Sequence, residues 1–263
     1  RANGIGSARR QVVTKILKDG GVRSLAAQRF PFDPHTNRMD VAAVRVHRAG
    51  GEIVDVPLDR LLRQPQPAGA IYWGTEQFVI GVPGLEIGDA VETVSTMTGF
   101  NVAYLADEGT GSREQGTGTS AAPEVNAFGE PLEPPVEGHW HDEVHWWTGV
   151  PILDKRYSVR IHKDQPLQYE VYGGELRTSV LFDGAYKVYT FEKKDIAPFT
   201  NEANMEPQPN VATKLLLATL PTWEEKSQWL HKVSEPTFAL DDAIRAKTQE
   251  IISGLKTDEE KWT

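Results

Sequence analysis

An alternation of apolar and polar residues after Pro151 constrains the fold of this chain most strongly. On an extended backbone it places Leu153, Tyr157, Val159 and Ile161 on one face of a strand. The same alternation recurs in residues 167–171 and 176–182, and Asp183-Gly184 then supplies a residue pair typical of a type I′ hairpin turn. Residues 151–192 are therefore predicted to form an antiparallel meander with one buried and one solvated face.

A second pair of strands is predicted around residues 77–97. Residues 78–82 form a short apolar run rich in β-branched side chains, which is typical of a buried strand. Pro83-Gly84 ends this run, and Gly88-Asp89 marks another turn before a strand over 90–97. Residues 83–89, called the elbow below, should join the two strands compactly, with Leu85 and Ile87 placing apolar side chains in it.

Glycine turns divide the first sixty residues into two predicted hairpins. Strands over 12–17 and 22–30 flank the Asp19-Gly20-Gly21 turn, and strands over 39–47 and 53–56 flank Gly50-Gly51. Residues 57–63 could form one turn of helix, which Pro65 would end. A further strand is predicted over 211–219.

The apolar period changes from two to 3.6 near residue 222. Thr222 and Glu225 have the spacing of a capping box, and Asp241 or Asp242 can cap a second helix. The predicted fold is therefore mainly β, an antiparallel β-sandwich of one or two packed sheets with a short α-helical C-terminal segment. We expect a β-sandwich domain over 1–220 and a helical linker over 221–263. A flexible insertion is predicted near 107–137, in which residues 107–123 are rich in Gly, Ser and Thr and residues 124–137 should be extended without regular pairing.

Composition excludes several functional classes. The chain of 263 residues carries a net charge of -9, which argues against nucleic acid as a partner. It contains no cysteine, which rules out disulfides, thiolate metal sites and a cysteine nucleophile within these residues. No apolar run approaches the roughly 20 residues that span a bilayer. Because the sequence begins at Arg1 rather than methionine, we expect a processed or truncated piece of a longer product.

Three histidines suggest a metal site. His139, His141 and His145 would project from one face of a strand. His139 and His141 could then chelate a divalent metal, with a third ligand from His145, Asp142 or Glu143. The alternative is a polar strand face without metal. His141 and His145 also have the spacing of a helical zinc-protease motif, but Asp142 occupies the position of its glutamate, and the local pattern favours a strand.

Tryptophans suggest a binding surface. Trp73, Trp140, Trp146 and Trp147 could stack on a sugar or contact a protein partner, because aromatic side chains supply large contact areas. The alternative, which the usual burial of large aromatics favours, is that they seal the edge of the sandwich. No pair of carboxylates has a reason in the sequence to converge as in a glycosidase.

Five segments together resemble the β-rich domain of unknown role that precedes transglutaminase-like domains in exported bacterial proteins. They are residues 12–17, 50–57, 82–92 with the elbow, 151–161 together with 166–169, and 222–225. The resemblance implies a noncatalytic β-sandwich in an extracytoplasmic (periplasmic or secreted) bacterial protein. In such proteins the segment similar to residues 239–262 leads into a transglutaminase-like core, whose Cys, His and Asp lie downstream.

Three functional hypotheses follow. The first is a noncatalytic scaffold or docking module, whose partner is another protein, a second copy or a downstream transglutaminase-like domain. The second is a module that binds a metal or a glycan through the histidine and tryptophan segment. The third is the N-terminal part of a transglutaminase-like peptidase or transferase whose catalytic core is absent here. No cofactor is expected, apart from the divalent metal of the second hypothesis.

Overall fold

The computed structural model describes residues 4–66, 74–100, 124–132, 139–238, 241–255 and 257. Those up to residue 220 belong to one compact unit and those from residue 221 onward to a second. The first unit contains thirteen described strands, all paired antiparallel: β1 (Gly6–Lys15), β2 (Ala27–Phe32), β3 (Asn37–His47), β4 (Ile53–Asp55), β5 (Leu62–Pro65), β6 (Glu76–Gly81), β7 (Ala90–Gly99), β8 (His141–His145), β9 (Ile152–His162), β10 (Gln168–Tyr172), β11 (Arg177–Asp183), β12 (Tyr186–Ile196) and β13 (Lys214–Ala218). The prediction of a mainly β, antiparallel fold is confirmed.

These strands form four sheets, which we name after their central strands. The β7 sheet has the order β1-β7-β3-β4, and the β6 sheet has the order β2-β6-β5. The β13 sheet has the order β10-β13-β8, and the β12 sheet has the order β11-β12-β9. The layers predicted from the sequence are thus divided into two pairs of small sheets.

Each pair of sheets encloses its own apolar core. Val44, Val46 and Val91 of the β7 sheet pack with Phe30 and Ile80 of the β6 sheet in the first core. The second core joins the β12 and β13 sheets through four buried side chains, Phe191, Ile196, Leu215 and Leu217. Burial of a large apolar side chain contributes about 1.5–3 kcal/mol, so these two clusters account for the packing of the layers.

The elbow connects two sheets rather than two neighbouring strands. β6 and β7 follow each other in the chain, yet β6 lies in the β6 sheet and β7 in the β7 sheet. Leu85 is buried in the first core as expected, whereas Ile87 is exposed. Ile16 holds the elbow through two backbone hydrogen bonds, from its N–H to Asp89 and from Gly88 to its carbonyl.

A short helix replaces the first predicted turn. Helix α1 (Asp19–Leu25) begins at the Asp-Gly-Gly segment, so the strand predicted over 22–30 starts only at Ala27. Val22 and Leu25 both pack against the first core. Their spacing of three residues suits one face of a helix, and this tertiary contact outweighs the low helix propensity of Gly20 and Gly21. The second predicted hairpin, β3 with β4, is confirmed, and Leu58–Arg60 forms one 3-10 turn.

The meander predicted after Pro151 is interrupted. The β11–β12 hairpin forms as expected, with Gly184 at φ +60°, but β10 leaves this sheet and pairs with β13. Tyr157, Val159 and Ile161 face the core side, whereas Leu153 is exposed. Between β9 and β12, Leu153 and Asp195 are not paired, although the residues on either side of them are. Asp195 adopts φ +52°, so the ladder is irregular at this point.

Residues 124–132 form a bonded turn rather than the extended, unpaired stretch expected there. Val125 and Pro131 form an isolated antiparallel bridge, and the side chains of Asn126 and Leu132 are buried. The Asn126 amide donates to the carbonyl of His35, so the turn is docked beside β3. The remaining part of the predicted insertion, residues 107–123 and 133–137, lies outside the described residues.

Helix α2 (Gln208–Val211) belongs to the first unit, and the second unit is helical. It contains α3 (Trp223–Ser234), a 3-10 turn (Glu235–Phe238) and α4 (Asp242–Ile252). The Thr222 side chain accepts a hydrogen bond from the Glu225 N–H, and Asp241 accepts one from Ile244, so both predicted helix caps are confirmed. None of the helices in the described ranges has the length and apolarity needed to cross a membrane.

Candidate functional site

The predicted histidine segment is a strand. β8 pairs with β13, and His141, Glu143 and His145 are exposed on its face while His139 precedes it. Nε2 of His145 lies 2.9 Å from a carboxylate oxygen of Glu143. Within the ranges that the structure describes, no three side chains of His, Cys, Asp or Glu are grouped so that they could hold a metal ion. The metal site of His139, His141 and His145 therefore stays a prediction without an assembled ligand set.

Of the predicted tryptophan surface, the structure describes Trp140, Trp146 and Trp147, and these three do not share one exposed surface. Trp146 is 1% exposed and belongs to the second core, so its ring does not lie on the surface of the described chain. Trp140 is half-buried, and its indole Nε1 lies 3.3 Å from the position that a β-carbon on Gly6 would occupy. It therefore packs against the start of β1. Trp73 lies outside the described residues.

Trp147 takes part in a row of rings at the end of β8. Its ring is stacked with His145 at 5.3 Å between centroids and contacts Phe199 at 5.7 Å. Lys155 lies beside this row, with its Nζ 5.2 Å from the centre of the Trp146 ring and bonded to the His145 carbonyl. Burial lowers the pKa of Lys155. The Trp146 ring attracts the Lys155 ammonium through a cation–π contact. These contacts fix the end of β8 against β9.

The opposite face of β8 carries a partly buried polar contact. The Tyr157 hydroxyl of β9 donates to a carboxylate oxygen of Asp142 over 2.6 Å. Burial raises the pKa of Tyr157, and the nearby Asp142 charge raises it further. The phenol therefore stays protonated at neutral pH and links the β13 sheet to the β12 sheet.

Asp89 fixes the elbow. Its side chain is 4% exposed and accepts hydrogen bonds from the backbone N–H groups of Glu86 and Ala49, at 3.0 and 3.2 Å. Arg48 donates to the same carboxylate at 2.7 Å and to the Gly84 carbonyl. The bond from Glu86 is the main reason that the pKa of Asp89 is lowered, and Arg48 adds to it. One carboxylate thus joins the elbow to the β3–β4 hairpin.

Glu92 forms the centre of a second polar cluster, on the side of the β7 sheet away from the first core. Its side chain is 7% exposed, and its two oxygens accept from Gln11 at 2.6 Å and from His47 at 2.8 Å. Arg45 lies 3.5 Å away and also binds Asp55 on β4. The hydrogen bond from His47, followed by that from Gln11, lowers the pKa of Glu92.

Sequence reasoning missed the Glu92 cluster, because its members come from three strands that are distant in the chain. The register places Arg45 directly opposite Glu92, and neither residue stands out before this pairing is known. Both oxygens of Glu92, like those of Asp89, are occupied by donors of the fold. A carboxylate with a lowered pKa is also a weak general base at neutral pH, so the two buried acids are suited to holding the β7 sheet together.

Comparison with known proteins agrees with this fold. A crystal structure described as that of "a putative protease" from Parabacteroides distasonis has a TM-score of 0.74 and 13% sequence identity to this chain. The match covers 99% of this chain and 45% of that one, so this chain spans less than half the length of that protein. At this identity the likeness shows a shared fold. No curated protein matches the sequence significantly. Residues 2–200 match the family described as a domain of unknown function with a solved structure, DUF3857, and the chain therefore belongs to the DUF3857 family.

Proposed function

We propose that this chain is a noncatalytic β domain that supports a catalytic domain in a longer bacterial protein outside the cytoplasm. The observation that carries the proposal is the unequal coverage of the structural match, 99% of this chain against 45% of a protein described as a protease. The fold of this chain is therefore found in a larger protein with substantial sequence besides it. We assign the chemistry of the longer product to a protease or transglutaminase-like part, in keeping with the resemblance of the elbow and its flanking segments.

The side chains of the first unit support a structural role. A transglutaminase-like or cysteine-protease reaction requires a thiolate nucleophile, and this chain has no cysteine. Its buried acids Asp89 and Glu92 are engaged by Arg48, His47 and other donors of the fold. Such saturated groups stabilise the sheets, and the catalytic residues of the longer protein would have to be supplied elsewhere.

The second unit supports a docking role. Trp223 is 89% exposed and Phe238 is 77% exposed, and Ile251 on α4 is exposed as well. Large exposed apolar side chains are typical of surfaces that another protein covers. We assign them to contact with the catalytic domain of the same product, for which α3 and α4 would serve as the connecting element.

The test begins with the coding sequence beyond residue 263, where we expect a Cys, a His and an Asp of a transglutaminase-like core. The chain alone and the longer product are then assayed for hydrolysis of a protein substrate and for acyl transfer. We expect activity only in the longer product, and loss of it when the downstream cysteine is replaced by alanine. Activity of the present chain alone that disappears on replacing one of its own side chains would contradict the proposal.

The docking role has a separate test within the longer product. Replacing Trp223 and Phe238 together by serine should lower the melting temperature or the activity of the catalytic part. Replacing the exposed Leu153 of the first unit by serine serves as a matched control, since it removes a comparable exposed apolar group from another place. Equal effects of the two changes would argue against docking through the helical unit.

A further inference from the structure

Strand β11 is an exposed edge with an unusual composition. All seven of its residues are exposed, and Leu181 and Phe182 are 67% and 75% exposed. β11 pairs with β12 on one side and is the last strand of the β12 sheet. The row of backbone N–H and C=O groups on its other side is therefore available to pair with a further strand.

The other edge strands carry features that discourage such pairing. Proteins protect sheet edges with charges, with proline or by keeping the strand short. β4 has three residues, and the remaining edges carry charged residues or proline within the strand: Arg9 and Arg10 in β1, Arg29 and Pro31 in β2, Arg63 and Pro65 in β5, Asp142 and Glu143 in β8, Lys155 and Arg156 in β9, and Glu170 in β10. The five inner residues of β11, Thr178 to Phe182, have neither. Among the described edges, β11 is thus the unprotected one.

The sequence of β11 is complementary to itself in the antiparallel direction. If Val180 faces Val180 of a second copy, Arg177 of each copy faces Asp183 of the other, on the same side of the sheet. On the opposite side, Phe182 faces Thr178 across the pair. Asp183 already accepts from Arg160 at 3.2 Å, and a carboxylate has room for a further donor. Opposite charges at both ends and uncharged residues between them favour this register.

We propose that β11 pairs with β11 of a second copy of this chain, so that two β12 sheets join into one continuous six-stranded sheet with a two-fold axis at Val180. In this register the two β11 strands exchange hydrogen bonds between their backbone N–H and C=O groups. The exposed apolar side chains of the two copies cover one another. The contact is small, so the dimer should be reversible and depend on concentration. This pairing does not depend on the proposed role beside a catalytic domain.

The first experiment is sedimentation velocity of the whole chain over about 1 μM to 1 mM, the range that distinguishes moderate affinities. We expect a monomer at low and a dimer at high concentration. Val180→Lys should abolish the dimer because it places two ammonium groups opposite each other, as should Val180→Glu through two carboxylates. An equal mixture of the two variants should restore a heterodimer. Far-UV circular dichroism of each variant checks that the fold is retained, which the partial exposure of Val180 favours.

The second experiment fixes the register. Because the chain has no cysteine, Val180→Cys introduces a single thiol. Opposed residues of an antiparallel pair lie about 4.5–5.5 Å apart at Cα, which a disulfide can span. Ser179→Cys is the matched control, since in this register its two copies are diagonal, at about 7–8 Å, and should not crosslink on mild oxidation.

Two kinds of result would overturn the proposal. A monomer at every concentration, with or without a different protein bound to β11, excludes a second copy as the occupant. A dimer that Val180→Lys leaves intact, or in which Ser179→Cys crosslinks as readily as Val180→Cys, excludes this strand or this register.

Discussion

The Glu92 cluster allows a quantitative prediction of stability. Glu92→Gln keeps the shape of the side chain and an acceptor for Gln11, but replaces the charged acceptor of His47 by an amide. A hydrogen bond to a charged group contributes about 1.5–3 kcal/mol, and a partly exposed ion pair such as that with Arg45 adds about 0–1 kcal/mol. We therefore expect Glu92→Gln to lower the free energy of unfolding by about 2 kcal/mol at neutral pH.

The effect should depend on pH in a defined direction. The pKa of Glu92 is lowered in the folded chain, so its charge stabilises the fold at pH values above the unfolded pKa of about 4.3. This contribution is lost as the pH falls through the lowered, folded pKa. The difference between the wild-type chain and Glu92→Gln should consequently be largest near neutral pH and shrink in acid.

Urea unfolding followed by far-UV circular dichroism, at about pH 7.5 and again at about pH 3.5, measures both quantities. Glu52→Gln is the control, because Glu52 is exposed in the nearby β3–β4 turn and its replacement should change stability by less than about 0.5 kcal/mol. If Glu92→Gln were as mild as this control, or if its effect were equal at both pH values, the role assigned to the cluster would be refuted.

Three further predictions concern the second core and the histidine segment. Phe191→Ala should lower the free energy of unfolding by about 3–5 kcal/mol in urea titrations, because the ring is fully buried and its removal leaves a cavity. Tyr157 has a raised pKa and should ionise at a higher pH than an ordinary tyrosine. In an ultraviolet pH titration, folded Tyr157→Phe should therefore differ from the wild-type chain only at the most alkaline pH values. Added zinc should leave the melting temperature within about 2 °C, as the described residues hold no group of three ligands, and a larger rise would revive the predicted metal site.

Local signals in the sequence predicted much of the secondary structure. The alternation over residues 157–161 of β9, the Asp183-Gly184 turn and the caps at Thr222 and Asp241 act over a few residues, and the structure has all of them. Helix α1 escaped prediction because Gly20 and Gly21 are typical of a turn, and only contact with the first core favours a helix there.

The assignment of strands to sheets could not be predicted in the same way. β10 alternates like its neighbours, yet it pairs with β13, and this pairing brings Tyr169 to 5.0 Å from Phe191 between ring centroids. The buried position of Trp146 and the environment of Glu92 likewise depend on partners that lie far away in the chain. Side-chain periodicity predicts which face is apolar but not which strand lies alongside.

The pairing of β1 with β7 has a consequence for the synthesis of this protein. Lys15 lies opposite Ala90 and Gly6 lies opposite Gly99, so β1 cannot form this pairing until residues 90–99 have left the ribosome. Contacts of such long sequence separation form slowly, and an unpaired strand is open to wrong partners meanwhile. A holding chaperone would keep the unpaired residues of β1 from binding wrong partners during this interval.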